Sequence, residues 1–100
     1  MAETSKSILV WGDETFGPVK DPAALVDRAA MEMTELKEAL AAKDFDEAGR
    51  EAADVVILIH RLMGVLGKDL TEEVDAKMAI NRNRTWVRSG DGTGGHVSSS

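Results

Sequence analysis

The sequence predicts an all-α fold: an antiparallel helical hairpin followed by a third helix, completed to a four-helix-bundle-like core by oligomerisation. Three observations carry this. Long stretches are dominated by Ala, Leu, Glu and Lys, apolar residues recur within them at helical spacing, and an Asp stands ahead of each where an N-cap belongs. One hundred residues bound a single domain.

Taken in order, residues 1–20 mix Ser, Thr and Gly around the short apolar run Ile8 to Trp11 and read as a loop-rich segment. Helix one opens at Asp21, with Pro22 in the turn that tolerates a missing N–H, and runs to about Lys43. Helix two is capped by Asp44 or Asp46, passes through the apolar run Val55 to Ile59, and stops at Gly67. Helix three begins at Asp69 or Thr71 and reaches about Arg84. The helical domain therefore spans residues 21–86, and residues 87–100 form a flexible Gly/Ser-rich tail with little to pack against. Helix two is apolar nearly all round between Val55 and Ile59, more than one antiparallel neighbour covers, so a homodimer or homotetramer is expected.

Charge and composition exclude several classes. A formal charge of −6 disfavours unassisted binding to a phosphate backbone. Zero cysteines leave no disulfide and no thiolate metal site. The N-terminus shows no leader pattern, and no apolar run approaches the ~18 residues a bilayer requires. A cytoplasmic protein with no membrane and no nucleic-acid partner is expected.

The carboxylates carry the chemistry. At roughly 100° per residue, helix one places Leu25, Ala29, Met33, Leu36 and Leu40 on one apolar face, with Glu32 at its border and Glu35 and Glu38 stepping away. Helix two puts Glu51 inside the stripe of Val55, Leu58 and Leu62, flanked by Asp54. A carboxylate in an apolar seam must be paired, protonated or bound to a metal. No base in sequence reach lies on the Glu51 stripe, although Arg50 and Arg61 approach its Asp54 side. A protein cation from helix three or a metal is left, and hard oxygen ligands select Mg²⁺, with Mn²⁺ as substitute. The bland reading is that Glu-x-x-Glu decorates a solvated helix face. His60 lacks the Glu-x-x-His setting of a di-iron bundle and reads as a surface or interface residue.

On helix three, Lys77, Asn81 and Arg84 share one face, and Arg and Lys at that spacing suit phosphate oxygens. For Arg82 and Arg88 the preference of a helix C-terminus for cations explains as much.

The combination Glu32-Met-Thr-Glu35, fifteen intervening residues, Glu51-Ala-Ala-Asp54, then Lys77-Met-Ala-Ile-Asn81-Arg-Asn-Arg84 resembles the MazG-like all-α nucleoside triphosphate pyrophosphohydrolases over about residues 21–86. The resemblance implies hydrolysis between the α- and β-phosphates to a nucleoside monophosphate and pyrophosphate. It implies Glu32, Glu35, Glu51 and Asp54 as Mg²⁺ ligands and Lys77, Asn81 and Arg84 as contacts to the triphosphate. Glu35 or Glu38 would take a proton from the attacking water, Glu38 being equally a further ligand. Met31 departs from the Glu that many relatives carry there. The Trp11-Gly-Asp-Glu-Thr-Phe16 opening is similar to compact phage and bacterial members, including a phage type acting on (d)GTP, which would place the protein in a host cytoplasm. A nucleobase needs an apolar or aromatic face, and Trp11 and Phe16 are the candidates, unless they only pack the N-terminal segment over the helices. Two other functions stay open: a non-enzymatic helical interaction module, and a sister enzyme acting on phosphoribosyl-ATP.

Overall fold

The structure is a computed structural model that describes residues 2–97. It is all-α apart from one small hairpin, with elements in the order α1 (Ser5–Phe16), α2 (Ala23–Ala41), α3 (Phe45–Val65), α4 (Leu70–Arg82), β1 (Trp86–Arg88) and β2 (Gly94–His96).

Helices α2 and α3 form the expected hairpin. Asp44 caps α3, its side chain accepting the Glu47 N–H at 3.1 Å, and Lys43 turns the chain at φ 57°. At the other end Gly67 takes φ 72°, a left-handed conformation that costs glycine little, and Lys68 N–H closes the turn on the Met63 carbonyl at 2.8 Å. Asp69 then caps α4 by accepting from Glu72 N–H. Asp21 accepts the Ala23 N–H at 3.0 Å just before α2, although Pro22 occupies the cap position itself.

Two expectations, the loop-rich N-terminal segment and the unpaired tail, are corrected. The segment read as loop-rich contains α1, because Thr4 and Ser7 form a reciprocal capping box with Ser in place of the usual acid, and the apolar run Ile8 to Trp11 has α3 to pack on. Gly12 sits inside that helix, where any side chain would strike the Arg61 guanidinium. The third helix stops at Arg82, and the chain beyond it pairs Trp86 with His96 and Arg88 with Gly94 in an antiparallel hairpin. Residues 98–100 of the expected tail lie outside the described residues.

The apolar face of α2 is rotated from the expected one. Leu25, Ala29, Glu32, Leu36 and Ala39 point inward, while Met33 and Leu40 are each 51% exposed. The inward spacing of 25, 29, 32, 36 and 39 is the heptad seam of two nearly antiparallel helices, which drifts from a strict 3.6-residue count. Buried Ala29, Ala39 and Ala48 keep that seam tight. The rotation also puts Glu32 within the seam.

Helix α1 crosses the other side of α3 and is pinned at both ends. Ser5, 0% exposed, places its hydroxyl 2.9 Å from His60 Nδ1 and accepts the Leu70 N–H at 2.8 Å, while its own N–H donates to Asp69 Oδ1 at 3.1 Å. At the far end buried Arg61 donates to Asp13 Oδ1 at 3.0 Å and to the Gly17 carbonyl at 2.8 Å. His60, read as a surface or interface residue, belongs to an intramolecular knot. Arg61 serves α1 rather than Asp54, and Arg50 pairs with Glu47.

Helix α4 contributes no buried residue and leans only lightly on α3. Val74, Met78 and Ile80 are exposed along it. The radius of gyration is 16.1 Å, against about 13 Å for a compact chain of this length. The accessible surface is 7633 Å² for 10.8 kDa, where a compact monomer of that mass exposes about 5,500 Å².

Candidate active site

The hairpin register sets Glu32 and Glu35 of α2 against Glu51 of α3. One carboxylate oxygen from each lies within 4.8 Å of the others. Glu32 and Glu51 are half-buried and Glu35 is exposed, so the group is fixed by the seam on one side and open to solvent on the other.

Glu51 is the centre of the group. Its Oε2 is buried and has no hydrogen-bond partner. Its pKa is pushed from 4.5 up to about 8, first by the neighbouring Glu47 carboxyl, then by Glu32, by burial, and by Glu35. The acids that crowd Glu51 are thus Glu47, one turn earlier, and the two across the seam, and not the flanking Asp54. Glu47 is itself held below the ordinary carboxylate range by Arg50, whose Nη2 is 2.8 Å from Glu47 Oε2. Among the described residues the ion pairs are Arg50–Glu47, Arg61–Asp13 and Lys68–Glu73, and none neutralises Glu51. Crowded carboxylates with an unpartnered buried oxygen fit a hard divalent cation, which can replace the proton that Glu51 otherwise retains.

Three of the four expected ligands are thus brought together. Asp54, one turn beyond Glu51, is exposed and outside the group, as is Glu38 on α2. Lys77 is exposed on α4, Asn81 is half-buried with a buried Oδ1 lacking a partner, and Arg84 follows the end of the helix. None of these three is hydrogen-bonded to a carboxylate among the described residues. Glu47 and Arg50 were absent from the expected site; the signal for them is the four-residue spacing from Glu47 to Glu51, which stacks two acids on one face.

Trp11 and Phe16 do meet, with ring centroids 5.6 Å apart at 89°. Both are open to solvent, 55% and 70% exposed. Trp11 borders a cavity of about 360 Å³ with Glu3, Ile8 and Ile57. Phe16 lies 5.7 Å from the Arg61 guanidinium carbon and borders another cavity that includes Pro18 and Arg28.

No protein-family model matches the sequence. The chain is 35% identical over 97 residues to the dATP/dGTP diphosphohydrolase of Cyanophage S-2L, covering 97% of this chain and 88% of that protein. It is 37% identical over 97 residues to the dATP/dGTP diphosphohydrolase of Salmonella phage PMBT28, spanning 31% of that longer protein. Among solved structures it is similar to the Cyanophage S-2L MazG-like pyrophosphohydrolase bound to dGDP and three catalytic Mn²⁺ ions per active site. That likeness has a TM-score of 0.73 and 33% identity, covering 96% of this chain and 91% of the other.

Proposed function

The chain belongs to the MazG-like pyrophosphohydrolase family, and on that premise we propose that it hydrolyses purine deoxynucleoside triphosphates, dGTP foremost, to the monophosphate and pyrophosphate. The observation that carries this reading is the buried, partnerless Oε2 of Glu51 beside Glu32 and Glu35. The relatives are named for dATP and dGTP, and the solved neighbour holds dGDP. Neither an interaction module nor a phosphoribosyl-ATP enzyme finds support in them.

Glu32, Glu35 and Glu51 would hold Mg²⁺ or Mn²⁺, with Asp54 turning in from the next turn of α3. When bound, the ions neutralise phosphate charge and make a coordinated water more acidic. Glu35 or Glu38, on the solvent side of the group, takes the proton from the water that attacks the α-phosphorus. Pyrophosphate departs against the charges of Lys77 and Arg84, with Asn81 donating from the same side of α4. Trp11 and Phe16 supply the aromatic wall for the base.

Lys77 stands on, and Arg84 just beyond, the helix that has almost no packing partner. A homodimer or homotetramer that covers Val74, Met78 and Ile80 would bring α4 of one copy against the hairpin of another, and the excess surface of the isolated chain supports that assembly. Among the described residues no helix is long and apolar enough to cross a membrane, and the nucleotide pool of a host cytoplasm is where such an enzyme would find its substrate.

Incubation with Mg²⁺ and a panel of nucleoside triphosphates, with products separated by chromatography, tests the reading. Equal amounts of monophosphate and pyrophosphate are expected, with purines ahead of pyrimidines. Release of orthophosphate with a diphosphate overturns it.

A further inference from the structure

We propose that Glu3 is the residue that reads guanine, its carboxylate accepting hydrogen bonds from the N1–H and 2-amino group of a base seated in the cavity beside Trp11. The proposal rests on the nucleotide-hydrolysing reading above and adds to it which edge of the base is recognised, and by what.

The cavity holds about 360 Å³ and is lined by Glu3, Ile8, Trp11 and Ile57. Two isoleucines and an indole make apolar walls for an aromatic ring, and among the described residues the single charged group lining it is the carboxylate at one end. Trp11 stands two helical turns after Glu3, but side chains on a helix lean toward its N-terminus, so the indole reaches back over Ile8 toward the Glu3 end. Phe16 braces the indole at right angles.

Glu3 is held in place. It lies just ahead of the Thr4 cap, and the Ser7 hydroxyl donates to its Oε1 at 2.8 Å. Each carboxylate oxygen accepts more than one bond, so Oε2 and the second lone pair of Oε1 are free for a ligand. No cation pairs with Glu3 among the described residues.

An acceptor-only group selects between purines. Guanine presents two adjacent donors on its Watson–Crick edge, which a carboxylate accepts side by side. Adenine presents a ring acceptor there, which faces the carboxylate lone pairs unfavourably, and carries no 2-amino group. The placement along α3 suits a nucleotide whose phosphates lie at the carboxylate group. Ile57 follows Glu51 by six residues, about 9 Å along the axis and about 120° round it, with Asp54 between them.

The test is calorimetric titration of the full chain in Mg²⁺ with dGMP, dIMP and dAMP, where inosine differs from guanine only by the missing 2-amino group. The parent is expected to bind dGMP about tenfold or more tighter than dIMP, since a hydrogen bond to a charged group is at stake, and dAMP weakest. Glu3→Gln, which keeps one acceptor oxygen but puts an amide donor against the second base donor, should bring dGMP down to the level of dIMP and leave dAMP unchanged or improved. Ser7→Ala should shift the ratio the same way by less. Among the described residues Glu3 has no bond beyond the local one from Ser7, so melting and light scattering should match the parent. A dGMP to dIMP ratio that Glu3→Gln leaves unchanged overturns the proposal, as does failure of the parent to bind any of the three. Retained discrimination by the parent, lost in Glu3→Gln, supports the pocket even if no triphosphate is hydrolysed, in which case the enzymatic reading alone has failed.

Discussion

The α2–α3 hairpin and the region from α4 onward are built on opposite terms. The hairpin has a capped turn, a seam of small buried residues and an acid held at its centre. Helix α4 and the β1–β2 hairpin are well formed by local bonds, an Asp69 cap at one end and Trp86 Nε1 on the Asn81 carbonyl at the other, yet bury no residue of the helix or either strand. One chain suffices to assemble the carboxylates, because the hairpin register alone sets them face to face. The cations sit on an element whose position one chain barely fixes. Local propensity makes a helix, and only packing places it.

The sharpest way to break this comparison is at Glu51. Glu51→Gln should lower Mg²⁺-dependent pyrophosphate release by on the order of a thousandfold, as loss of a metal ligand or charge-stabilising group does. In chelator the variant should melt at or above the parent, since it removes a crowded carboxylate. The pH dependence follows from the same group. Its pKa in the fold is raised to about 8, so the stability Glu51 contributes is full below its unfolded value near 4.5 and is lost as pH rises through about 8. The metal-free parent should therefore lose more melting temperature than Glu51→Gln between pH 5 and pH 8, and Mg²⁺ should abolish the difference. A variant that melts far below the parent in chelator at neutral pH would mean that Glu51 is neutralised by a protein cation.

At α4 the expected effect is smaller and falls on binding. Lys77→Ala and Arg84→Ala should each raise KM about 10- to 100-fold, in proportion to a lost charge-assisted contact to phosphate, with the melting temperature unchanged because both side chains are exposed. Ile80→Glu should shift the species seen by light scattering toward monomer and lower activity with it. Full activity in a monomeric Ile80→Glu would show that α4 is placed within one chain.

Smaller still is Ser5→Ala, read by stability. It leaves the Leu70 N–H without its acceptor in a buried knot and removes the partner of His60, a loss of about 1–3 kcal/mol. At the bottom of the scale, Met33→Lys should change stability by less than about 0.5 kcal/mol, because Met33 faces solvent. A larger loss would place α2's outer face in an assembly contact.

Much of the hairpin was legible in the sequence. Asp44 and Asp69 cap because their short side chains reach backbone donors two or three residues on, and Gly67 stops α3 because it alone takes a positive φ cheaply. The acid inside the α3 stripe was legible for the same local reason. The inward face of α2 was not: Ala39 against Leu40 is decided by how closely a second helix approaches, and hydrophobicity alone favours the larger residue. Helix α1 was hidden by Gly12, whose presence makes sense only once Arg61 is seen against it. The spacing of Glu47 from Glu51 is legible too, but its weight comes from Glu32 and Glu35 closing on the same carboxylate from α2, which no local pattern shows.

The knot at Ser5 also fixes when the protein can be finished. Its partners His60, Asp69 and Leu70 come 55 to 65 positions later in the chain. At a synthesis rate of about 5–20 residues per second they emerge about 3 to 13 seconds after Ser5 does. Over that interval the apolar run Ile8 to Trp11 has no α3 to dock on, and the serine has only water for its hydroxyl. A nascent chain thus holds this apolar segment open until the helix it docks on has been made. Slowing translation downstream of residue 16 would lengthen that exposure without changing a single contact in the folded molecule.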